Sequence, residues 1–313
     1  MTNQIKTTDS YLTFRDWKIF IRNKKLANAH TKVLFCMGAT YHTSAYFDLS
    51  INGQSAMDYL ALAGFDVYCY DMLGMGKSSK PNAFDVKINN FNTTDGLSVI
   101  ERVYDHIAVD HDTHVIGYSW GSIATMMLAN KRSIPSLTLL GARYPTEELL
   151  NKNLSIENIQ LIYPYSTESG FYRVAEISDI SKEWQGEFTD KEFLAIVDPG
   201  TVKNFFKQML AHEPSTNLSQ SQKFLSPKFT KNDVKHFIYG KMPFADAALV
   251  TCPCLLVCAP DEKQMSEEIF NILTTKKEYL LVPSSTHWGL IECNRFLMLD
   301  KIIEFINNQG SEL

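Results

Sequence analysis

Short apolar runs recur along the chain, and most are followed by a longer segment with the apolar spacing of a helix. Continuous apolar runs of this length are typical of parallel strands that are covered on both faces. Residues 11–22 instead alternate apolar and polar side chains, which predicts an antiparallel hairpin at a sheet edge. Strands are predicted at residues 32–38, 65–71, 113–116, 136–141, 254–258 and 278–282, and helices at residues 55–63, 94–108, 122–130, 266–274 and 294–307. The alternation predicts an α/β fold with a mostly parallel sheet and helices on both faces.

The alternation of strands and helices stops in the middle of the chain. Residues 145–249 are richer in aromatic, charged and helix-favouring residues, and they contain no comparable series of apolar runs. We interpret this segment as a mainly helical cap, or lid, inserted over the carboxyl edge of the sheet. The predicted domains are therefore a core at residues 1–144 and 250–313 and a cap at residues 145–249.

Composition and charge exclude several classes of partner. The chain has 313 residues with a formal net charge of -5 and contains no basic run, which argues against binding to nucleic acid or a membrane surface. The first ten residues lack the apolar core of a secretory signal, and no apolar run approaches the roughly 18 residues of a membrane span. We expect a cytoplasmic protein.

The six cysteines favour the same reducing compartment. Most of them lie in apolar runs, where a free thiol behaves as a small hydrophobic side chain. Cys252 and Cys254 flank a proline, but no second pair of ligands follows at zinc spacing, so no metal site is predicted.

Residues 117–121 carry the strongest chemical motif in the chain. They read Gly-Tyr-Ser-Trp-Gly and lie between a predicted strand and a predicted helix. A serine on so sharp a turn has a strained backbone, and side chains at the two glycine positions would collide with the flanking strand and helix. The hydroxyl then projects at the carboxyl end of the strand, beside the positive end of the helix dipole. Ser119 is therefore the candidate nucleophile.

A serine nucleophile needs a base, and the base needs an orienting acid. His287 lies in a small polar loop directly after the last predicted strand, at the edge where Ser119 should lie. Asp261 and Glu262 follow the preceding strand, and either carboxylate could reach the imidazole.

With this order of serine, acid and histidine, the chain resembles the α/β-hydrolase superfamily over nearly its whole length. The resemblance also rests on the spaced series Asp71, Gly74, Gly76 and Ser78 after the preceding strand. Members with a Gly-x-x-Asp turn carry the acid three residues after the glycine, which maps Ala259 onto the glycine and Glu262 onto the acid. The family's usual aspartate chemistry favours Asp261 instead, and the two alternatives stay open.

The resemblance also implies an oxyanion hole and a neighbouring pocket. It assigns the two donors to the backbone N–H groups of Ala39 and Trp120, although Met37-Gly38 stands where many members have His-Gly. Backbone donors require no particular side chain, so this departure does not remove the prediction. Aromatic side chains flank these positions and are candidates for a substrate pocket: Tyr41, His42, Tyr118 and Trp288.

The predicted activity is that of a cofactor-free serine hydrolase. Residues 74–78 contain Gly-Lys-Ser, but a phosphate loop would need glycine where Asp71 stands, so nucleotide binding is not expected. The expected substrate is a small molecule with an ester, thioester or related acyl bond, cleaved through an acyl-enzyme. The alternatives are amide or peptide release as in aminopeptidases, carbon-carbon bond hydrolysis, and a ligand receptor that keeps the hydrolase pocket without turnover.

Overall fold

The computed structural model describes residues 4–88, 91–108, 112–142, 170–227 and 246–309. Eight of the strands in this part of the chain form one sheet, and two others form a separate two-stranded sheet. The strands are β1 (Lys6–Phe14), β2 (Trp17–Lys25), β3 (Lys32–Cys36), β4 (Asp66–Tyr70), β5 (Thr113–Tyr118), β6 (Leu137–Leu140), β7 (Tyr172–Glu176), β8 (Lys223–Pro227), β9 (Cys254–Cys258) and β10 (Lys277–Leu281).

The large sheet has the order β1-β2-β4-β3-β5-β6-β9-β10. The β1–β2 hairpin is antiparallel and pairs with β4 in an antiparallel manner, whereas the other neighbours are parallel. Both the parallel sheet and the hairpin at its edge are confirmed. The order places β5 near the centre, with the carboxyl ends of β5, β6 and β9 at one edge.

The helices lie close to their predicted positions and begin at recognisable caps. Ser55 and Asp58 form a capping box at the start of one helix, and Asn92 and Asp95 form a capping box at the start of another. Side chains therefore satisfy backbone N–H groups at the amino-terminal end of both helices. The described helices are α1 (Thr43–Phe47), α2 (Ala56–Leu62), α3 (Thr93–Ile107), α4 (Trp120–Ala129), α5 (Ile177–Gln185), α6 (Asp190–Ile196), α7 (Pro199–Ala211), α8 (Thr216–Gln220), α9 (Lys263–Ile272) and α10 (Arg295–Gln309).

Two hydrophobic clusters cover the two faces of the sheet. Successive residues of β3 point to opposite clusters: Leu34 packs with the residues of α3 and α4, and Phe35 packs with those of α2 and α10. Both side chains are fully buried. This is the burial expected of a central parallel strand, which explains why the predicted strands are continuous apolar runs.

Within the predicted cap at 145–249, residues 170–227 and 246–249 are described, and residues 170–227 are here called the cap. It contains the helices α5 to α8 and a two-stranded antiparallel sheet of β7 and β8, so it is mainly helical. Trp184 of α5 and Phe205 of α7 are fully buried and belong to the same cluster as the sheet residues Phe35 and Leu255. The amino-terminal cap boundary at residue 145 lies outside the described residues and stays a prediction.

Three further findings concern the described residues alone. None of their helices combines the length and the apolar character that a membrane crossing requires. They also contain no group of three or more side chains suited to holding a metal ion. All six cysteines are free thiols, and five are buried, whereas Cys293 is exposed.

Candidate active site

Ser119 lies on a strained turn between β5 and α4. Its backbone angles are φ 57° and ψ -123°, a conformation that residues other than glycine rarely adopt. The glycines on either side are required by space, because a Cβ atom on Gly121 would lie 2.5 Å from Cys36 O. A Cβ atom on Gly117 would lie 2.6 Å from Gly121 O. The turn therefore has the steric features of a nucleophile elbow.

The loop after β3 lies directly against Ser119. A Cβ atom on Gly38 would be 2.9 Å from Ser119 Cβ and 3.4 Å from Ser119 Oγ, so Gly38 permits this close approach. Ala39 is the next residue of this loop. Trp120 is the first residue of α4, where N–H groups point out of the helix end. The two backbone donors predicted from the sequence thus belong to the segments that flank Ser119.

The side chain of Trp120 points away from this region. Its indole Nε1 donates a hydrogen bond of 2.8 Å to Thr93 Oγ1 at the start of α3. A Cβ atom on Gly96 would lie 2.9 Å from the Trp120 ring, so this glycine makes room for the indole on α3. Only the main chain of Trp120 is therefore a candidate for contact with a reacting group.

His287 and Glu262 form a short, buried hydrogen bond between Nδ1 and Oε1. The histidine is 8% exposed and the glutamate 2% exposed. The second carboxylate oxygen, Oε2, accepts a hydrogen bond of 2.9 Å from Ala259 N. A carboxylate bound to Nδ1 keeps the proton on that nitrogen and leaves Nε2 as the basic atom.

The two candidate acids differ because of the turn that follows β9. Pro260–Glu262 form a single 3-10 turn, which starts with proline and ends at the glutamate. Asp261 lies on the outside of this turn and is exposed, while Glu262 points inward to His287. The carboxylate that the structure brings to the imidazole is therefore Glu262, three residues after Ala259.

Tyr118 connects the serine turn to the histidine loop. Its hydroxyl donates a hydrogen bond of 2.6 Å to His287 O, and the two rings lie 4.7 Å apart between centroids. Ser119 is the next residue, so the nucleophile and base candidates lie at the same edge of the sheet. No Ser119–His287 hydrogen bond is present among the described contacts; catalytic hydrogen bonds often tighten only when substrate binds.

Gly141 belongs to the candidate site but was not among the residues predicted from the sequence. It follows β6 with φ 51°, and a Cβ atom there would lie 2.6 Å from Glu262 Oε1 and 3.0 Å from His287 Nδ1. The absence of a side chain lets the acid and the base meet beside the backbone. The apolar run ending in glycine was the available signal, although it does not say which residues approach.

The four side chains proposed for a pocket are packed in the interior. Tyr41, His42, Tyr118 and Trp288 are all buried. Tyr41, His42 and Trp288 make ring contacts with residues of the cap, whereas Tyr118 lines a small cavity together with His287. Contact of these side chains with a substrate stays a prediction.

The series that begins at Asp71 holds two loops together. The fully buried Asp71 carboxylate accepts hydrogen bonds from Ser44 N, Ser44 Oγ and Lys77 N, at 3.0, 3.0 and 2.9 Å. Ser78 Oγ donates to Asp71 O and accepts a hydrogen bond of 2.8 Å from Phe20 N. Ser44 follows the loop that flanks Ser119, so these hydrogen bonds connect that loop to the loop after β4.

Comparisons with known proteins agree with this architecture. The profile of the α/β hydrolase fold family matches residues 33–300. Among solved structures, the chain is similar to a putative lipase from Acinetobacter baumannii, with 15% identity, TM-score 0.64, and coverage of 98% of this chain and 93% of the lipase.

Two further solved structures match over nearly their whole length. A bromoperoxidase from Bacillus anthracis has 12% identity and TM-score 0.65, with 96% of this chain and all of the other covered (100%). A serine hydrolase involved in carbazole degradation has 13% identity and TM-score 0.61, with coverage of 96% and 99%. At these identities the likeness establishes a shared fold. No curated protein sequence matches the chain.

Proposed function

Because the chain belongs to the α/β-hydrolase fold family, we propose that it is a serine hydrolase that cleaves an ester, thioester or related acyl bond. The proposed triad is Ser119 as nucleophile, His287 as general base and Glu262 as the orienting acid. The observation that carries the proposal is the buried hydrogen bond between His287 Nδ1 and Glu262. Tyr118 donates a hydrogen bond to the backbone of this histidine, and the next residue is Ser119, which is held at positive φ.

The reaction proceeds in two halves. Ser119 Oγ forms a bond to the acyl carbon while its proton moves to His287 Nε2, and the carbonyl electron pair moves onto the oxygen. Collapse of this tetrahedral species breaks the bond to the alcohol or thiol, which takes the proton back from the imidazolium. Water then repeats the sequence on the acyl-enzyme, releasing the acid and free Ser119.

The backbone N–H groups of Ala39 and Trp120 are the proposed oxyanion donors. Both belong to segments that adjoin Ser119, and the amino-terminal end of α4 adds a positive dipole end at the same place. In comparable sites one such donor lowers the barrier by about 3 to 4 kcal/mol. Because these donors are part of the main chain, they are fixed before the negative charge develops.

The proposed substrate class draws on other proteins of the same fold. Structures of the same fold include a putative lipase, a thioesterase domain and an esterase, which supports an oxygen or sulfur acyl bond. The free thiols, of which five are buried, agree with the proposal of a reducing, cytoplasmic location. A small acyl compound is the proposed partner, and the cap is the proposed source of its selection.

Labelling with a fluorophosphonate tests the proposal. The native protein should be labelled and should hydrolyse p-nitrophenyl esters, and Ser119→Ala and His287→Ala should lose both properties. Ser98→Ala is the matched control, because this hydroxyl on α3 donates to Thr94 O rather than to any group of the proposed triad. Native protein that neither reacts with the probe nor turns over esters, thioesters or aminoacyl amides would refute the proposal and favour a receptor.

A further inference from the structure

A second buried carboxylate, Glu292, lies next to the proposed catalytic histidine. It follows the 3-10 turn Gly289–Ile291 and is 1% exposed. Its Oε2 accepts a hydrogen bond of 2.9 Å from Thr286 N, and its Oε1 accepts from the Thr286 hydroxyl. Oε1 also accepts a hydrogen bond of 2.8 Å from the indole Nε1 of Trp184. Three donors therefore converge on a carboxylate that takes no part in the proposed triad.

These contacts hold the backbone on both sides of His287. Thr286 precedes the histidine and gives Glu292 both its N–H and its hydroxyl. The same hydroxyl accepts a hydrogen bond of 3.2 Å from Trp288 N, the residue after the histidine. The orientation of the imidazole toward Glu262 thus depends on a loop that Glu292 and Thr286 fix from behind.

The third donor comes from the cap. Trp184 lies on α5 and is fully buried, and its ring stacks on Trp288 at 5.5 Å between centroids with an interplanar angle of 21°. The cap therefore reaches the histidine loop at two points, a hydrogen bond to Glu292 and a stacking contact with Trp288. A shift of α5 changes both contacts together.

A carboxylate in this position is unfavourable for stability at neutral pH. Burial is the main cause that raises the pKa of Glu292, and hydrogen bonds from Thr286 and Trp184 act in the opposite direction. A raised pKa in the folded state means that the unfolded protein ionises more easily, so the stability contribution is present at low pH and is lost as the pH rises. A neutral residue would pack here without this cost, which argues for a role beyond packing.

We propose that Glu292 is a positioning residue that fixes the orientation of His287 and couples it, through Trp184, to the seating of the cap. The inference rests on the proposed function, since it assumes that His287 is the general base. It gives the cap a role in the rate of the chemical step as well as in access. When the cap is displaced, Trp184 no longer donates its hydrogen bond to Glu292. The histidine loop is then held less firmly, and the imidazole is less well oriented toward Glu262.

The test removes one donor at a time, because Glu292→Gln would set an NH2 group against the N–H of Thr286. Trp184→Phe keeps an aromatic ring against Trp288 and deletes the N–H, and Thr286→Val keeps the side-chain shape and deletes the hydroxyl. Each should lower kcat by about 10- to 100-fold with little change in KM, since small misplacements of a catalytic group have costs of this order.

Ile134→Ala is the matched control. Ile134 is buried in the other hydrophobic cluster, which contains neither Trp184 nor Trp288, so its truncation lowers stability without changing the contact between α5 and the histidine loop. The control should lose thermal stability and keep the native kcat. If Ile134→Ala lowers kcat as much as Trp184→Phe does, general loss of stability is the cause and the proposal is overturned.

A spectroscopic measurement separates this inference from the proposed function. The Nδ1–H proton of His287, hydrogen-bonded to Glu262, should give a low-field NMR resonance in the native protein that shifts or broadens in Trp184→Phe and Thr286→Val. This NMR measurement requires no turnover. A changed resonance therefore supports the positioning role even if a fluorophosphonate never labels Ser119. An unchanged resonance in both variants, with Ser119 labelled at the native rate, would overturn the positioning role and leave the hydrolase intact.

Discussion

Replacing Gly141 with alanine should damage the proposed catalytic pair more than it damages the fold. The new Cβ atom would lie 2.6 Å from Glu262 Oε1, whereas ordinary contacts begin at 3.4 Å, so the carboxylate has to move by roughly 0.8 Å. A displacement close to 1 Å of a group that orients the base costs about 100-fold in rate. The backbone contributes separately, because alanine at φ 51° costs about 1 to 2 kcal/mol of stability.

Gly186 provides a control with nearly the same backbone angle φ. Its φ is 53°, and the nearest atom to a new Cβ, Glu183 O, lies 3.9 Å away, so Gly186→Ala tests the backbone cost alone. Urea unfolding should show a similar loss in both variants, while ester hydrolysis should fall only in Gly141→Ala. Equal kcat values in the two variants would show that the acid and base do not meet at Gly141 during the reaction, and the argument from close approach would be wrong.

The remaining predictions concern the acid and the pH dependence of stability. Glu262→Gln should lower kcat by about 10⁴-fold and Asp261→Asn should leave it near the native value; equal mild losses in steady-state ester hydrolysis would mean that the acid lies elsewhere. Burial lowers the pKa of His42 from 6.5 to about 4, so the folded protein binds fewer protons than the unfolded one between these values. The free energy of unfolding should therefore fall by up to about 3 kcal/mol as the pH drops from 6.5 to 4. Urea unfolding of His42→Gln should show a smaller fall over the same range. The same dependence of unfolding free energy on pH in the variant and the native protein would contradict this prediction.

The fold was predictable because its main signals are local. Strands such as β3 and β9 are buried on both faces, and their sequences show this directly as unbroken apolar runs. The elbow was predictable for a similar reason, since glycine, serine and glycine are all required within five residues. Helix ends were predicted less well than helix positions, and α9 begins at Lys263, three residues before the predicted start at residue 266.

The parts of the site that sequence reasoning left open depend on contacts between distant segments. Two adjacent carboxylates look equivalent in the sequence, and only the direction of the 3-10 turn after β9 separates Asp261 from Glu262. The contact between Trp184 and Glu292 joins residues 108 positions apart, with no pattern at either end to announce it. Aromatic residues near the motif suggested pocket walls, but buried packing and ligand contact favour the same side chains.

Unfavourable features concentrate at one edge of the sheet, where the carboxyl ends of β5, β6 and β9 meet. Ser119 has a backbone conformation that costs about 1 to 3 kcal/mol. Two buried carboxylates lie near the same imidazole: Glu262 is hydrogen-bonded to His287, and Glu292 is hydrogen-bonded to the preceding residue. None of these features improves packing, and a neutral or unstrained residue at each position would give a more stable fold. Their shared location around His287 agrees with the proposed proton transfer, because an oriented imidazole needs fixed anionic partners and the proposed nucleophile needs an exposed turn. Stabilising substitutions at this edge should therefore lower the rate of hydrolysis, whereas those in the β1–β2 hairpin should leave it unchanged.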